Sequence, residues 1–388
     1  MKTKLKTARI GMLLLGVAAI FAVAPLVPMS AQGEALAEVG APALAATSGL
    51  ATAPVAVVPS APAPALAEAA GTRPAAAVPQ DPHRYVDEEG RVRVALVKMP
   101  YSGSRSGPEL SGNPTYIEEG GLLEILEGLN VALAPTETVA LLPEEENDYG
   151  EWHRVGLANG HLAEIVAANE RKGYFTVGLH ANCNALMGML GGVQHAGPGR
   201  RPLKVGLVWV DAHGDINTPE TTLSGMLGGM PVAVSAGMCL TRLRLKSGLD
   251  PALPTRYIVM AGVRDTDPLE QEIIDRSDIE HITTEDIRSL SDNLHAQMQR
   301  LSQLTDLIYV HIDMDVLDPR EVPGHGLNVA DGPTSAELAA ALTEMFKYDK
   351  AAALGIASTP YGDNDPDGLS LRAAHTLIEG AIRGVQAR

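Results

Sequence analysis

The sequence predicts an α/β fold built on a mostly parallel sheet with helices on both faces. Two observations predict it. Six short, continuously apolar runs read as strands, at 91–99, 174–179, 204–210, 256–262, 305–312 and 351–357. Between them lie amphipathic stretches such as "GGLLEILEGL", "ANGHLAEIVAANERKG", "TTEDIRSLSDNLHAQMQRLSQL" and "TSAELAAALTEMFKY". Continuous apolar strands alternating with helices indicate parallel strands buried on both sides. Ligands of such sheets bind outside the carboxyl ends of the strands, so that is where polar side chains carry information.

Taken in order, the chain divides into three. Residues 1–37 read as an export signal, with Lys2, Lys4, Lys6 and Arg9 ahead of "GMLLLGVAAIFAVAPLVP" and a small-residue "ALA" at 35–37. Pro25 and Pro28 interrupt the apolar run, so cleavage and a periplasmic or secreted location are expected, without stable membrane association afterwards. Residues 38–82 are dominated by Ala, Pro and Val and show neither helical nor strand periodicity; a disordered linker is expected there. Residues 83–388 form the folded domain. The whole chain carries 47 acidic against 30 basic side chains, a formal charge of -17, which argues against nucleic acid as a partner. Its two cysteines, Cys183 and Cys239, lie in apolar-patterned segments of a domain large enough to need no disulfide.

The chemistry gathers at two strand ends. "VGLVWVDAHGD" runs from apolar residues into Asp211, His213 and Asp215, spaced every second residue. If the backbone stays extended there, all three side chains converge on one side. "DLIYVHIDMDVLDP" ends with Asp313 and Asp315 at the same spacing. Four carboxylates grouped without cations would repel one another and be partly protonated. A metal resolves that conflict, and carboxylates with imidazole suit hard or borderline divalent ions, manganese first. Five such ligands exceed what one ion needs, whereas two ions can share carboxylates and activate a water between them.

These motifs resemble those of the arginase–agmatinase ureohydrolases. "SGNPTYIEEGGLLEILEGL" is similar to the family's first helix, "DAHGDINTPETTLSG" and "HIDMDVLDP" to its metal motifs, and "GVRDTDPLE" to a segment of true arginases. The resemblance runs from about residue 91 to 385 and implies a three-layer α/β sandwich, two manganese ions and a trimer or hexamer. It makes Asp211, His213, Asp215, Asp313 and Asp315 five of six ligands, with Asp215 also orienting the attacking water. It matches Asn217 and Ser224 to groups that bind a substrate α-carboxylate, and Asp267 and Glu270 to acids that hold its α-amino group. An amino-acid head group is therefore expected ahead of a bare amine.

Three departures stand out. In "TVGLHANCNALMG" the family's sixth-ligand histidine is replaced: counting back from Gly188 puts Cys183 there, while manganese chemistry favours His180 as the donor. The family's proton-shuttling histidine corresponds to Gly228, which has no side chain to use. The glutamate that grips a guanidinium corresponds to Ala357 or Ser358, neither of which can form that charge pair. His325, in "VPGHGLN", falls beside that pocket by counting and is the candidate for acid–base catalysis. The expected activity is hydrolysis of the guanidino C–N bond of an arginine-like amino acid with release of urea. The alternatives are a metallohydrolase of a formimino or N-hydroxyguanidino compound and a non-catalytic binder of metal or amino acid.

Overall fold

The computed structural model describes residues 84–102, 112–199 and 201–388. The expected export signal and linker lie outside the described residues. Among the described residues one parallel sheet contains nine strands: β1 (Arg93–Met99), β2 (Ala132–Leu133), β3 (Glu137–Thr138), β4 (Phe175–His180), β5 (Val205–Val210), β6 (Ile258–Ala261), β7 (Glu280–Ile282), β8 (Leu307–Asp313) and β9 (Ala351–Ala357). Their order is β2-β1-β4-β9-β8-β5-β6-β7, with β3 also pairing β1.

All six expected strands are present. Every residue of β4, β5, β6, β8 and β9 is buried, which is why each reads as an unbroken apolar run. The sequence reading missed β2, β3 and β7, edge strands of two or three residues that carry no usable period. Two separate groups of helices cover the sheet. In one, Glu151–Arg171 packs on Leu186–Gln194 and Thr241–Lys246; in the other, Ser335–Phe346 packs on Leu369–Gln386 and Asp292–Leu304. Burial of these apolar faces, at about 25 cal/mol per Å², supplies the main driving force for the fold.

Local signals set the helix boundaries. The stretch expected as one helix over 283–304 is two, Thr284–Ser289 and Asp292–Leu304, broken where Leu290 adopts a left-handed φ of 50°. Ser335–Phe346 starts at a capping box: the Thr334 hydroxyl accepts the Glu337 amide at 3.2 Å, and Glu337 accepts the Thr334 amide at 2.7 Å. The chain places β4 on one side of the central β9–β8 pair and β5 on the other. A cleft therefore opens at the carboxyl ends of β4, β9, β8 and β5, the switch point of the sheet.

Candidate metal centre

β5 and β8 are paired in register from Val205↔Leu307 to Val210↔Ile312, so the turns that follow them stand side by side. Each begins with an aspartate that caps its own turn. Asp211 accepts the His213 amide at 2.7 Å, and Asp313 accepts the Asp315 amide at 3.0 Å. Those bonds fix the backbone at the two strand ends.

Three overlapping triads result: Cys183, Asp211 and Asp313; Asp211, His213 and Asp315; Asp313, Asp315 and His325. Within each, one donor atom per residue lies within 4.8 Å of the others. Asp211, Asp313 and Asp315 each belong to two triads. The Cys183 sulfur is 2.8 Å from Asp313 Oδ2 and 4.0 Å from Asp211 Oδ2. His213 Nδ1 is 3.1 Å from Asp315 Oδ2 and 3.5 Å from Asp211 Oδ1. His325 Nε2 is 3.5 Å from Asp313 Oδ1, and its Nδ1 is 4.0 Å from Asp315 Oδ2.

The electrostatics follow from this crowding. Burial, and then the charges of Asp315 and Asp215, push the Asp211 carboxyl well above its ordinary range. Burial, with Asp313 and Asp315, does the same to Asp215. Burial alone would also raise Asp313, but the His325 imidazole beside it, with hydrogen bonds from Cys183 and Ser358, carries it below the usual carboxylate range. Burial would lower His213, yet Asp211 and Asp315 outweigh it and raise the imidazole to about 11. The donor set of carboxylates, imidazoles and one thiol fits hard to borderline divalent ions, and a doubly charged ion relieves the repulsion among its acids. The residues present fit such ions.

Asp215 reaches the cleft by a route the sequence did not show. Its φ of 45° is left-handed, so the simple every-second-residue alternation ends before it. It still lines the same cavity as the triads. His180 does not join them. It is fully buried, and its ring folds back over Gly178 and Gly355 to stack on His311, with centroids 5.6 Å apart. Side chains at Gly178 or Gly355 would collide with that ring. Of the two candidates for the sixth ligand, the structure therefore brings Cys183 to the aspartates and leaves His180 in the core. Cys183 and Cys239 are unpaired.

The cavity above the triads has a volume of about 660 Å³ and is lined by all four expected head-group residues. Asn217 donates to Asp267 Oδ2 at 3.1 Å and accepts the Thr221 hydroxyl at 2.8 Å. Ser224 is exposed on the neighbouring loop. Glu270 spends both oxygens on backbone amides, Ile216 at 2.9 Å and Asp267 at 3.1 Å. It ties the loop after β5 to the helix Pro268–Asp275, so it acts here as a clamp.

Gly228 faces open space in the cavity wall, with room for a side chain and none present. Ala357 ends β9 within the core. Ser358, at a left-handed φ of 60°, donates its hydroxyl to Asp313 Oδ2 at 2.7 Å. The position expected to lack a guanidinium partner thus supports a candidate ligand, a role no sequence signal revealed. His325 lines the same cavity as Ser358, as its position in the sequence led one to expect, and is turned onto the β8 aspartates with its side chain 9% exposed. The Leu327 amide reaches its Nδ1 at 3.3 Å.

Comparison with known proteins agrees with this geometry. Residues 184–358 match the model of the arginase family. The chain is 33% identical to human mitochondrial arginase-2 over 261 residues, covering 63% of this chain and 71% of that protein. The native arginase structure from Bacillus caldovelox superposes with a TM-score of 0.65 at 26% identity, covering 75% of this chain and 98% of that one. Entamoeba histolytica arginase in complex with L-ornithine gives 0.66 at 22% identity over 75% and 98%, which speaks to the fold. On sequence, fold and the acid-rich cleft together, the chain belongs to the arginase family of ureohydrolases, hydrolases of non-peptide C–N bonds.

Proposed function

We propose that this protein is an exported ureohydrolase that cleaves the guanidino C–N bond of an arginine-like amino acid. The observation that carries the reading is the set of three buried aspartates, each shared between two donor triads, at the floor of a cavity whose wall holds the Asn217–Asp267 pair. Two divalent ions, manganese first, would be held by Cys183, Asp211, His213, Asp215, Asp313 and Asp315. When bound, they supply Lewis acidity and a water activated near neutral pH. The chain's own residues do the rest. Asp215 accepts a hydrogen bond from the attacking water and aims it at the amidine carbon. Asn217 and Ser224 receive the substrate carboxylate and Asp267 its ammonium group, while Glu270 holds the loop that carries Asn217 in place. The export signal at 1–37 supports a periplasmic or secreted location, and the family resemblance supports a trimer or hexamer.

A second reading has one observation in its favour. Ala357 and Ser358 offer no charge to a guanidinium, and the Ser358 hydroxyl is already engaged by Asp313. A formimino group has one nitrogen fewer for such an acid to bind, and a formimino or N-hydroxyguanidino amino acid would use the same head-group contacts.

Release of urea or ammonia from arginine, agmatine and a formimino amino acid separates these readings. Arginine is expected to be turned over and agmatine, which lacks the carboxylate, much less. Asp267→Ala should raise KM for arginine about tenfold or more, roughly 1.4 kcal/mol of lost binding. If agmatine is the better substrate, the head-group assignment is wrong.

A further inference from the structure

We infer that His325 is itself a metal ligand, donating Nε2 to the ion held by Asp313 and Asp315, so that the second imidazole of this centre comes from a loop instead of a strand end. The inference rests on the two-ion reading above and deepens it.

The distances carry it. Two donors about 2.0–2.2 Å from one ion are separated by roughly 3.0–3.5 Å, whereas a hydrogen bond between nitrogen and oxygen is about 2.7–3.2 Å. His325 Nε2 stands 3.5 Å from Asp313 Oδ1: long for a hydrogen bond, suited to two neighbours around one ion. The contact between His213 Nδ1 and Asp211 Oδ1 has the same 3.5 Å length, and His213 is a ligand on independent grounds, its place in the strand-end motif. The two imidazoles also converge on one atom, Asp315 Oδ2, from 3.1 Å and 4.0 Å.

The loop is built to hold this pose. The His325 amide donates to Val322 O at 3.0 Å, and Asn328 Nδ2 donates to the same carbonyl at 2.9 Å. Gly324 lies against the backbone of Asn364 so closely that any side chain there would collide with it. With Nε2 on the ion, the ring keeps its one proton on Nδ1, on the side of Asp315. A protonated Nδ1 no longer accepts the Leu327 amide, so that 3.3 Å contact is given up when Nε2 binds the ion. The rest of the cluster supplies a reason: Cys183 stands where a histidine is expected, and His213 is then the one imidazole contributed from a strand end. Bound this way, His325 has no free nitrogen facing the substrate, and it is a ligand instead of the acid–base catalyst the sequence suggested.

The test loads the full chain with manganese or cobalt and reads stoichiometry and affinity by equilibrium dialysis with metal analysis. X-ray absorption on the cobalt-loaded protein counts imidazoles. Wild type should hold two ions with an average of one imidazole each. His325→Ala should weaken one ion by roughly a hundredfold or more, beyond the range typical of residues that only support a ligand. It should also halve the imidazole count, and His325→Asp should recover part of the affinity. If His325→Ala does not fold, the count on wild type decides: an average near one half would overturn the inference. Two ions bound by His325→Ala with wild-type affinity and an unchanged count would overturn it while leaving the two-ion reading intact. Wild type that binds no ions would overturn both.

Discussion

Near the amino-terminal end of the strands, Glu170 is buried alone with partners of its own. Tyr85 donates to it at 2.8 Å, Arg84 stands 3.3 Å away, and Tyr85 packs edge-on against Phe175, the first residue of β4. At the carboxyl end, Asp211, Asp313 and Asp315 are buried together, with Asp215 beside them and two imidazoles and a thiol as neighbours. The first carboxylate meets a hydroxyl and a guanidinium supplied by the fold around it, with no second acid beside it. The second group is assembled against its own repulsion, and nothing about folding requires that arrangement. Acids kept in mutual conflict at the switch point of a parallel sheet mark the place where a ligand is meant to complete the structure.

Substituting one acid at each end sharpens the contrast. The largest effect is expected at Asp211, which belongs to two triads. Asp211→Asn keeps the shape and removes the charge, so urea release should fall roughly a thousandfold or more, about 4 kcal/mol of barrier. The same variant, compared with wild type in the presence of chelator, should melt at a higher temperature, because one buried like charge is gone. A lower melting temperature would show that these carboxylates do not repel one another in the folded protein.

Glu170→Gln is the smaller and opposite case. Burial outweighs its cations and raises the carboxyl from 4.5 to about 7. A carboxyl raised on folding binds more protons in the native state between those values. Its stabilising contribution is therefore complete below pH 4.5 and lost as pH rises through 7. The variant should lack that decline, a difference of at most about 3 kcal/mol between pH 4.5 and 7.5 in denaturant titrations. Urea release should be unchanged, because Glu170 touches no part of the cleft. A parallel pH dependence in variant and wild type would remove the contrast.

How much of this was legible in sequence depends on how each residue reaches its place. Strands buried on both faces announce themselves as apolar runs, so the six central strands and their acidic ends could be read directly. Asp211, His213, Asp313 and Asp315 lie within three residues of a strand's last buried residue, close enough for the strand end to deliver them to the cleft. Asp215 lies beyond that reach, on a left-handed turn whose direction no period encodes. His325 sits midway along the stretch between Val316 and Ser335, with no regular element to orient it, and only the loop's own bonds turn it back onto β8. His180 misleads for the converse reason. It ends a strand as a ligand should, yet Gly178 and Gly355 open a hollow behind it that its ring fills. That signal, a pair of glycines in neighbouring strands, becomes readable only once β4 and β9 are known to be partners.

The acid-rich cleft is expected to hold two divalent ions that the chemistry requires. Metal analysis of the purified full chain, paired with urea release from arginine before and after chelation, tests it most directly. Two ions per chain are expected, with loss of urea release when they are removed and recovery when manganese is returned. Urea release undiminished in protein stripped of its ions would contradict it.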